Sequence, residues 1–125
     1  ASDSLEIIGF EPELPATFFP KHPREGGLET AVLKIKIAYQ LQSAESCYIF
    51  AHPYPNDRTG CFSSPSPLYK KGSGELVAWF GFDREAHVEQ VEVKMIGEDK
   101  TDKTCSVSNE PFLTLIADVE VDWSF

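Results

Sequence analysis

The sequence predicts an all-β fold, an antiparallel sandwich of about seven to eight short strands with a small barrel as the alternative closure. Three observations carry this. Apolar residues recur at every second position in several segments, the period of a half-buried strand. Gly, Pro, Asn and Asp gather between those segments, where the chain must turn. No segment holds a helical apolar period for long; the best candidate, 83–87, is too short to stand alone as a helix.

Taken in order, Leu5–Phe10 reads as a short strand ahead of Pro12 and Pro15. Leu33, Ile35, Ile37, Tyr39 and Leu41 share one parity, with Lys34, Lys36, Ala38 and Gln40 on the other: a strand with one buried face. Gln42-Ser43-Ala44-Glu45 is expected to turn the chain into a hairpin with Cys47–Ala51, which is apolar on both parities and so expects cover on both faces. His52 to Gly74 holds Pro53, Pro55, Pro65, Pro67, Gly60, Gly72 and Gly74, which cannot feed a regular ladder. A long loop is expected there, with room for an edge strand near residues 68–70. Leu76, Ala78, Phe80 and Phe82 mark the next strand, then Val91, Val93 and Met95 within residues 88–96. A weaker strand follows near 104–107. The last strand sets Val119, Val121, Trp123 and Phe125 against Asp118, Glu120, Asp122 and Ser124. The predicted core is Leu33, Ile35, Ile37, Ile49, Phe80, Val91, Val93, Val121 and Trp123 in one domain spanning residues 1–125.

Leu, Val, Ile and Phe make up about a quarter of the 125 residues, enough for a packed core without a cystine or metal framework. Lys and Arg number 11 against 20 Asp and Glu, a net charge of −9. That argues against nucleic acid as a partner, because such binders displace phosphate counterions with cations. It argues equally against anionic membrane surfaces. No apolar run reaches the ~18 residues of a spanning helix, so no membrane insertion is expected. The opening Ala1-Ser2-Asp3 suits a mature chain after cleavage, or a boundary within a longer one. No Asn-x-Ser/Thr acceptor for glycosylation occurs.

Few constellations carry chemistry. His22, His52 and His87 are far apart in sequence, and no Ser stands in a nucleophile elbow. His22 falls in a Pro-rich loop. Gly72-Ser73-Gly74 and Gly26-Gly27 read as turns leading into strands, not as phosphate cradles before a helix. Glu98, Asp99 and Asp102 share their loop with Lys100 and Lys103, and Asn56-Asp57 is a smaller acidic pair; both read as solvated turns rather than calcium loops. Nothing in the spacing of His52, Asp57 and a cysteine favours zinc. Asp118, Glu120 and Asp122 line one solvent-facing strand parity, where water keeps all three ionised. Neither catalysis nor a cofactor nor a metal is expected.

Aromatics point elsewhere. Tyr54, Phe62 and Tyr69 sit on the long loop, and Trp79 falls on the parity opposite Leu76 and Phe80. Exposed rings cover the apolar face of a sugar, or anchor a partner. These four are the candidate binding residues. Against that stands simple packing, with the loop laid over Trp79.

Tyr48-Ile49-Phe50-Ala51-His52-Pro53-Tyr54, then Ser66-Pro67-Leu68-Tyr69, Gly72-Ser73-Gly74, the spacing Val88-x-x-Val91-x-Val93-x-Met95 and a closing Val121-x-Trp123 together resemble immunoglobulin-like β-sandwich modules of secreted or surface bacterial proteins, over roughly residues 30–125. The resemblance implies that fold and a secreted, periplasmic or cell-surface setting, and no catalytic residues. Cys47, Cys61 and Cys105 depart from the pattern. Three cysteines without a CxxC are too few for a disulfide scaffold. Cys47 shares the parity of Ile49 and suits a core thiol. If a bridge forms, Cys47–Cys61 is the expected pair, closing the long loop for roughly 3 kcal/mol, with Cys61–Cys105 next. The expected function is a non-enzymatic module for recognition or spacing. The alternative is a small domain binding a carbohydrate or apolar ligand through loop 53–74 and Trp79. Its partner is then a protein or a carbohydrate.

Overall fold

A computed structural model describes residues 2–13, 21–23, 29–54, 61–63, 67–82, 86–97 and 113–123. Among them the chain is all-β. Seven strands follow one another: β1 (Ser4–Glu11), β2 (Lys21–Pro23), β3 (Glu29–Tyr54), β4 (Cys61–Ser63), β5 (Tyr69–Phe82), β6 (Ala86–Ile96) and β7 (Leu113–Trp123). All pairings are antiparallel and build one curled open sheet in the order β4-β5-β3-β6-β7, with β1 and β2 also on β3.

The organising element is β3, 26 residues long. Its first half pairs with β1 and β5, and its last seven residues, Tyr48–Tyr54, pair with β6. The hairpin expected at residues 42–45 does not form. Gln42, Ser43, Ala44 and Glu45 include no Gly, Pro, Asn or Asp to take the backbone into a tight turn. The strand runs on, and the β5 register shifts between Leu41 and Ser46 instead. Such an irregularity frees backbone donors from the ladder. Asp3 collects them: its Oδ1 accepts from the Gln42 amide at 2.7 Å and the Ser43 amide at 3.0 Å, and its Oδ2 accepts from the Ser43 hydroxyl.

These bonds, the Ser43 hydroxyl first, hold the Asp3 carboxyl below its usual 3.8, against a small opposing effect of desolvation. A carboxylate whose pKa falls on folding stabilises the fold above its unfolded value, and that contribution fades as pH drops through the folded one. Asp3→Ala is therefore expected to cost about 1 kcal/mol at neutral pH, as loss of a side-chain cap does. The gap to wild type should close in acid, below about pH 3.8. Urea titrations of both proteins at pH 7 and pH 3 test this; a gap that is unchanged at pH 3 overturns it.

The long loop predicted from His52 to Gly74 is largely strand at its two ends. Pro53 and Tyr54 still belong to β3, and β5 begins at Tyr69. Between them β4 pairs Cys61 with Phe82 and Ser63 with Phe80. Gly72 and Gly74 are not a turn but positions within β5, opposite Leu41 and Tyr39. Gly72 takes φ 122°, a backbone that side chains rarely adopt. A Cβ on Gly74 would stand 3.1 Å from the Tyr39 ring, so the missing side chain is what lets Tyr39 lie across β5. Tyr39 then meets Tyr69 at a ring separation of 5.4 Å. His22, read as a loop residue, pairs with Thr30 from within β2.

The core forms on the inner face of the curl. Leu33, Ile35 and Ile37 of β3 are wholly buried and stand opposite Phe80, Ala78 and Leu76 of β5. Ile49, Ala51, Val91, Val93, Met95, Val119 and Val121 join the same cluster from the other half. β1 and β7 contribute half-buried Leu5, Ile7, Phe10, Leu113, Leu115 and Ala117. Every predicted core residue is buried except Trp123, whose side chain lies outside the described set. Asp118, Glu120 and Asp122 are exposed, as their parity predicts. Residues 98–112, which hold the acidic cluster, the predicted strand near 104–107 and Cys105, lie outside the described residues, as do Gly26-Gly27 and Asn56-Asp57.

Candidate functional site

The four aromatic candidates do not converge. Trp79 is half-buried on the outer face of β5, between buried Ala78 and Phe80, as its parity predicts. Phe62 lies opposite Gly81, two positions from Trp79 along the neighbouring strand, and its side chain is outside the described set. Tyr69 stands at the far end of β5, ten positions or ~33 Å of strand from Trp79. It is half-buried against Tyr39, and burial pushes its phenol above the usual range, with Tyr39 and Cys47 adding to it. Tyr54 belongs to the other half of the sheet, at the end of β3.

Cys47 and Cys61 do not pair with each other, and Cys105 lies outside the described residues. Cys47 faces Tyr69 and Cys61 faces Phe82, the two ends of the 14-residue β5. About 40 Å of strand separates those ends, against the ~7 Å between Cα atoms that a disulfide spans. Cys47 is a free thiol with no exposure. Burial, then the Asp3 carboxylate, pushes its pKa up to about 11, so it is a neutral core group.

What the structure does assemble lies on the second face of β3, β6 and β7. Tyr48, Phe50, His52 and Tyr54 alternate with core residues along β3, and the rings of Tyr48 and Phe50 lie 6.2 Å apart, tilted by 34°. Their partners on β6 are Ile96, Lys94, Glu92 and Gln90. Phe50, His52, Glu92 and Ile96 are buried, so this part of the sheet is covered on both faces. The two apolar parities of Cys47–Ala51 signal that cover. Sequence reasoning misses its consequence for Glu92 and Lys94, on the parity opposite Val91, Val93 and Met95, and for His52, at the start of the predicted long loop.

At the centre sits a charged cluster. Glu92 Oε1 lies 3.2 Å from Lys94 Nζ and 3.2 Å from His52 Nε2. The side chains of His52, Glu92 and Lys94 retain 4%, 11% and 15% of their exposure. His52 Nδ1 is 2.9 Å from the Pro53 carbonyl. A carbonyl only accepts, so Nδ1 carries a proton, and the Nε2–Glu92 contact is an ion pair when Nε2 is protonated as well.

One step along the strands the face opens to solvent. Tyr54 is 38% exposed and stands opposite Gln90, which stands opposite Asp118. Gln90 Nε2 donates to Asp118 Oδ1 at 3.1 Å. Ile116, 42% exposed, flanks this row at the level of Glu92. A ring, an oriented amide and a carboxylate therefore lie side by side on three adjacent strands, next to the closed cluster.

No protein-family model matches the chain, and neither the curated proteins nor the solved structures contain a match. The functional argument therefore stands on this geometry. Among the described residues no group of three or more His, Cys, Asp or Glu is placed to hold a metal ion, and no helix is long and apolar enough to cross a membrane.

Proposed function

We propose that this chain is a non-enzymatic recognition module of a secreted or cell-surface protein, an immunoglobulin-like sandwich that binds carbohydrate through the row Tyr54, Gln90 and Asp118. The observation that carries it is the register of that row. An exposed aromatic ring offers a flat apolar surface for one face of a pyranose. The neighbouring amide and carboxylate, already bonded to each other, offer oriented acceptors and a donor to its hydroxyls. The two strand sets sharing β3, with one core between them, support the sandwich. The buried His52–Glu92–Lys94 cluster supports a binding role over catalysis: it lies one step along the strands on the same face and is closed off, where a substrate does not reach.

The test is calorimetric titration with neutral mono- and oligosaccharides. Binding is expected with the millimolar to micromolar affinity of a shallow site, and Tyr54→Ala should weaken it at least tenfold, ~1.4 kcal/mol. Thermal stability should stay within about 2 °C of wild type, because the ring is exposed and surface changes cost little. Absence of binding across the panel, or binding untouched by Tyr54→Ala, rejects the site and leaves the spacer role.

A further inference from the structure

The outer face of the other half of the sheet carries charges in an unusual arrangement. Lys36 of β3 has no acid opposite it; its register partners are Gly9 on β1 and Val77 on β5. One step further, Ala38 is flanked by two acids, Glu6 on β1 and Glu75 on β5, with no base between them. Lys36, Glu6 and Glu75 are exposed, and among the described residues none of them forms an ion pair. The same level holds two of the four large apolar side chains that are exposed among the described residues, Val77 at 51% and Ile8 at 47%. Ile8 is the extra residue where β1 shifts register between Ile7 and Gly9. Gly9 leaves room beside Lys36, whose Cδ would lie 3.5 Å from a Cβ there.

We propose that this face is a homodimer interface, with a second copy of the chain as its occupant. A two-fold axis lying in the plane of contact and crossing β3 between Lys36 and Ala38 preserves the order β1, β3, β5 and reverses the levels. Each Lys36 then lies over the partner's Ala38, between the partner's Glu6 and the partner's Glu75. The small Ala38 side chain leaves the depression that the lysine enters. The arrangement is self-complementary, as a two-fold interface requires. An axis on the Lys36 level sets the lysines against each other, and an axis on the Ala38 level sets the acids against each other. The three strands offer about 14 Å by 27 Å, on the order of 400 Å² per copy, the range of weak reversible association. Charge pairs set its register, and Val77 and Ile8 lie over the aliphatic parts of the partner's Glu75 and the partner's Glu6.

Sedimentation equilibrium on the whole chain over a concentration series at about 0.15 M salt tests this. Wild type is expected to show a reversible monomer–dimer equilibrium. Lys36→Glu places a third acid between Glu6 and Glu75 and should weaken the dimer at least tenfold. The double variant Glu6→Lys, Glu75→Lys should do the same through three lysines. An equimolar mixture of the two should dimerise again, because each half of the mixed interface regains opposite charges. Val77→Asp, which leaves Lys36 and both acids in place, should also dissociate it. Circular dichroism and melting temperature confirm that each variant is folded. A wild type monomeric throughout, a dimer indifferent to Lys36→Glu, or a mixture that fails to associate overturns the proposal.

Discussion

Phe80→Ala is expected to destabilise the protein by about 3–5 kcal/mol, the range for truncating a buried aromatic. Phe80 has no exposure and is the largest of the fully buried side chains. It sits where three strands meet, opposite Leu33 on β3 and Ser63 on β4. Backbone hydrogen bonds on both sides of β5 hold the strand in place, so the neighbours cannot close over the space. The cost then includes the cavity as well as the lost transfer energy. Val77→Ala on the same strand is the control. Val77 points to the other face, 51% exposed, and its truncation should stay within about 0.5 kcal/mol. Denaturant unfolding measures both. A loss below about 1.5 kcal/mol at Phe80 would mean that the inner face of the curl is loosely packed.

The contrast between Phe80 and Val77 is legible in the sequence alone, because a two-residue period states which parity is buried. The same holds for Leu33–Leu41, Val91–Met95 and Val119–Val121. Two misreadings share one cause. Residues 42–45 look like a turn because the apolar alternation lapses there, and 72–74 look like a turn because they are rich in glycine. An antiparallel turn needs residues that accept positive φ at the reversal itself. Residues 42–45 have none, and the strand continues with Asp3 serving the amides that the irregularity frees. Gly74 answers a different need, contact with Tyr39 across the strand. The row Tyr54, Gln90 and Asp118 is half legible. Tyr54 stands out as an aromatic on the predicted long loop. Gln90 and Asp118 do not, because they are 28 residues apart and meet only through the β6–β7 register, which includes a shift between Val88 and Gln90. Cross-strand register over such separations depends on turns and irregularities that no local pattern encodes.

Glu92→Ala is expected to cost about 3 kcal/mol, the lower end of the range for breaking a buried ion pair, since the cluster keeps slight access to water. Glu92 is the only anion between Lys94 and His52 in the cluster, with one oxygen 3.2 Å from each. Removing it takes from the lysine ammonium its carboxylate partner in a largely desolvated place beside Phe50 on the same face. Glu92→Gln keeps the shape and one acceptor but not the charge, and should fall between wild type and alanine. The decisive variant replaces the whole cluster: His52→Phe, Glu92→Leu and Lys94→Met together. Buried charges are often matched in stability by apolar groups of similar volume. The triple variant should therefore recover most of what Glu92→Ala loses, even though it changes three residues rather than one. That non-additivity separates an unpaired-charge penalty from a packing defect, because three independent packing defects would sum. Urea unfolding of the four proteins decides it. If the triple variant is less stable than Glu92→Ala, the cluster contributes net stability by its own hydrogen bonding and charge pairing. If Glu92→Ala costs under 1 kcal/mol, the three side chains are solvated and the face beside Tyr54 is not closed there.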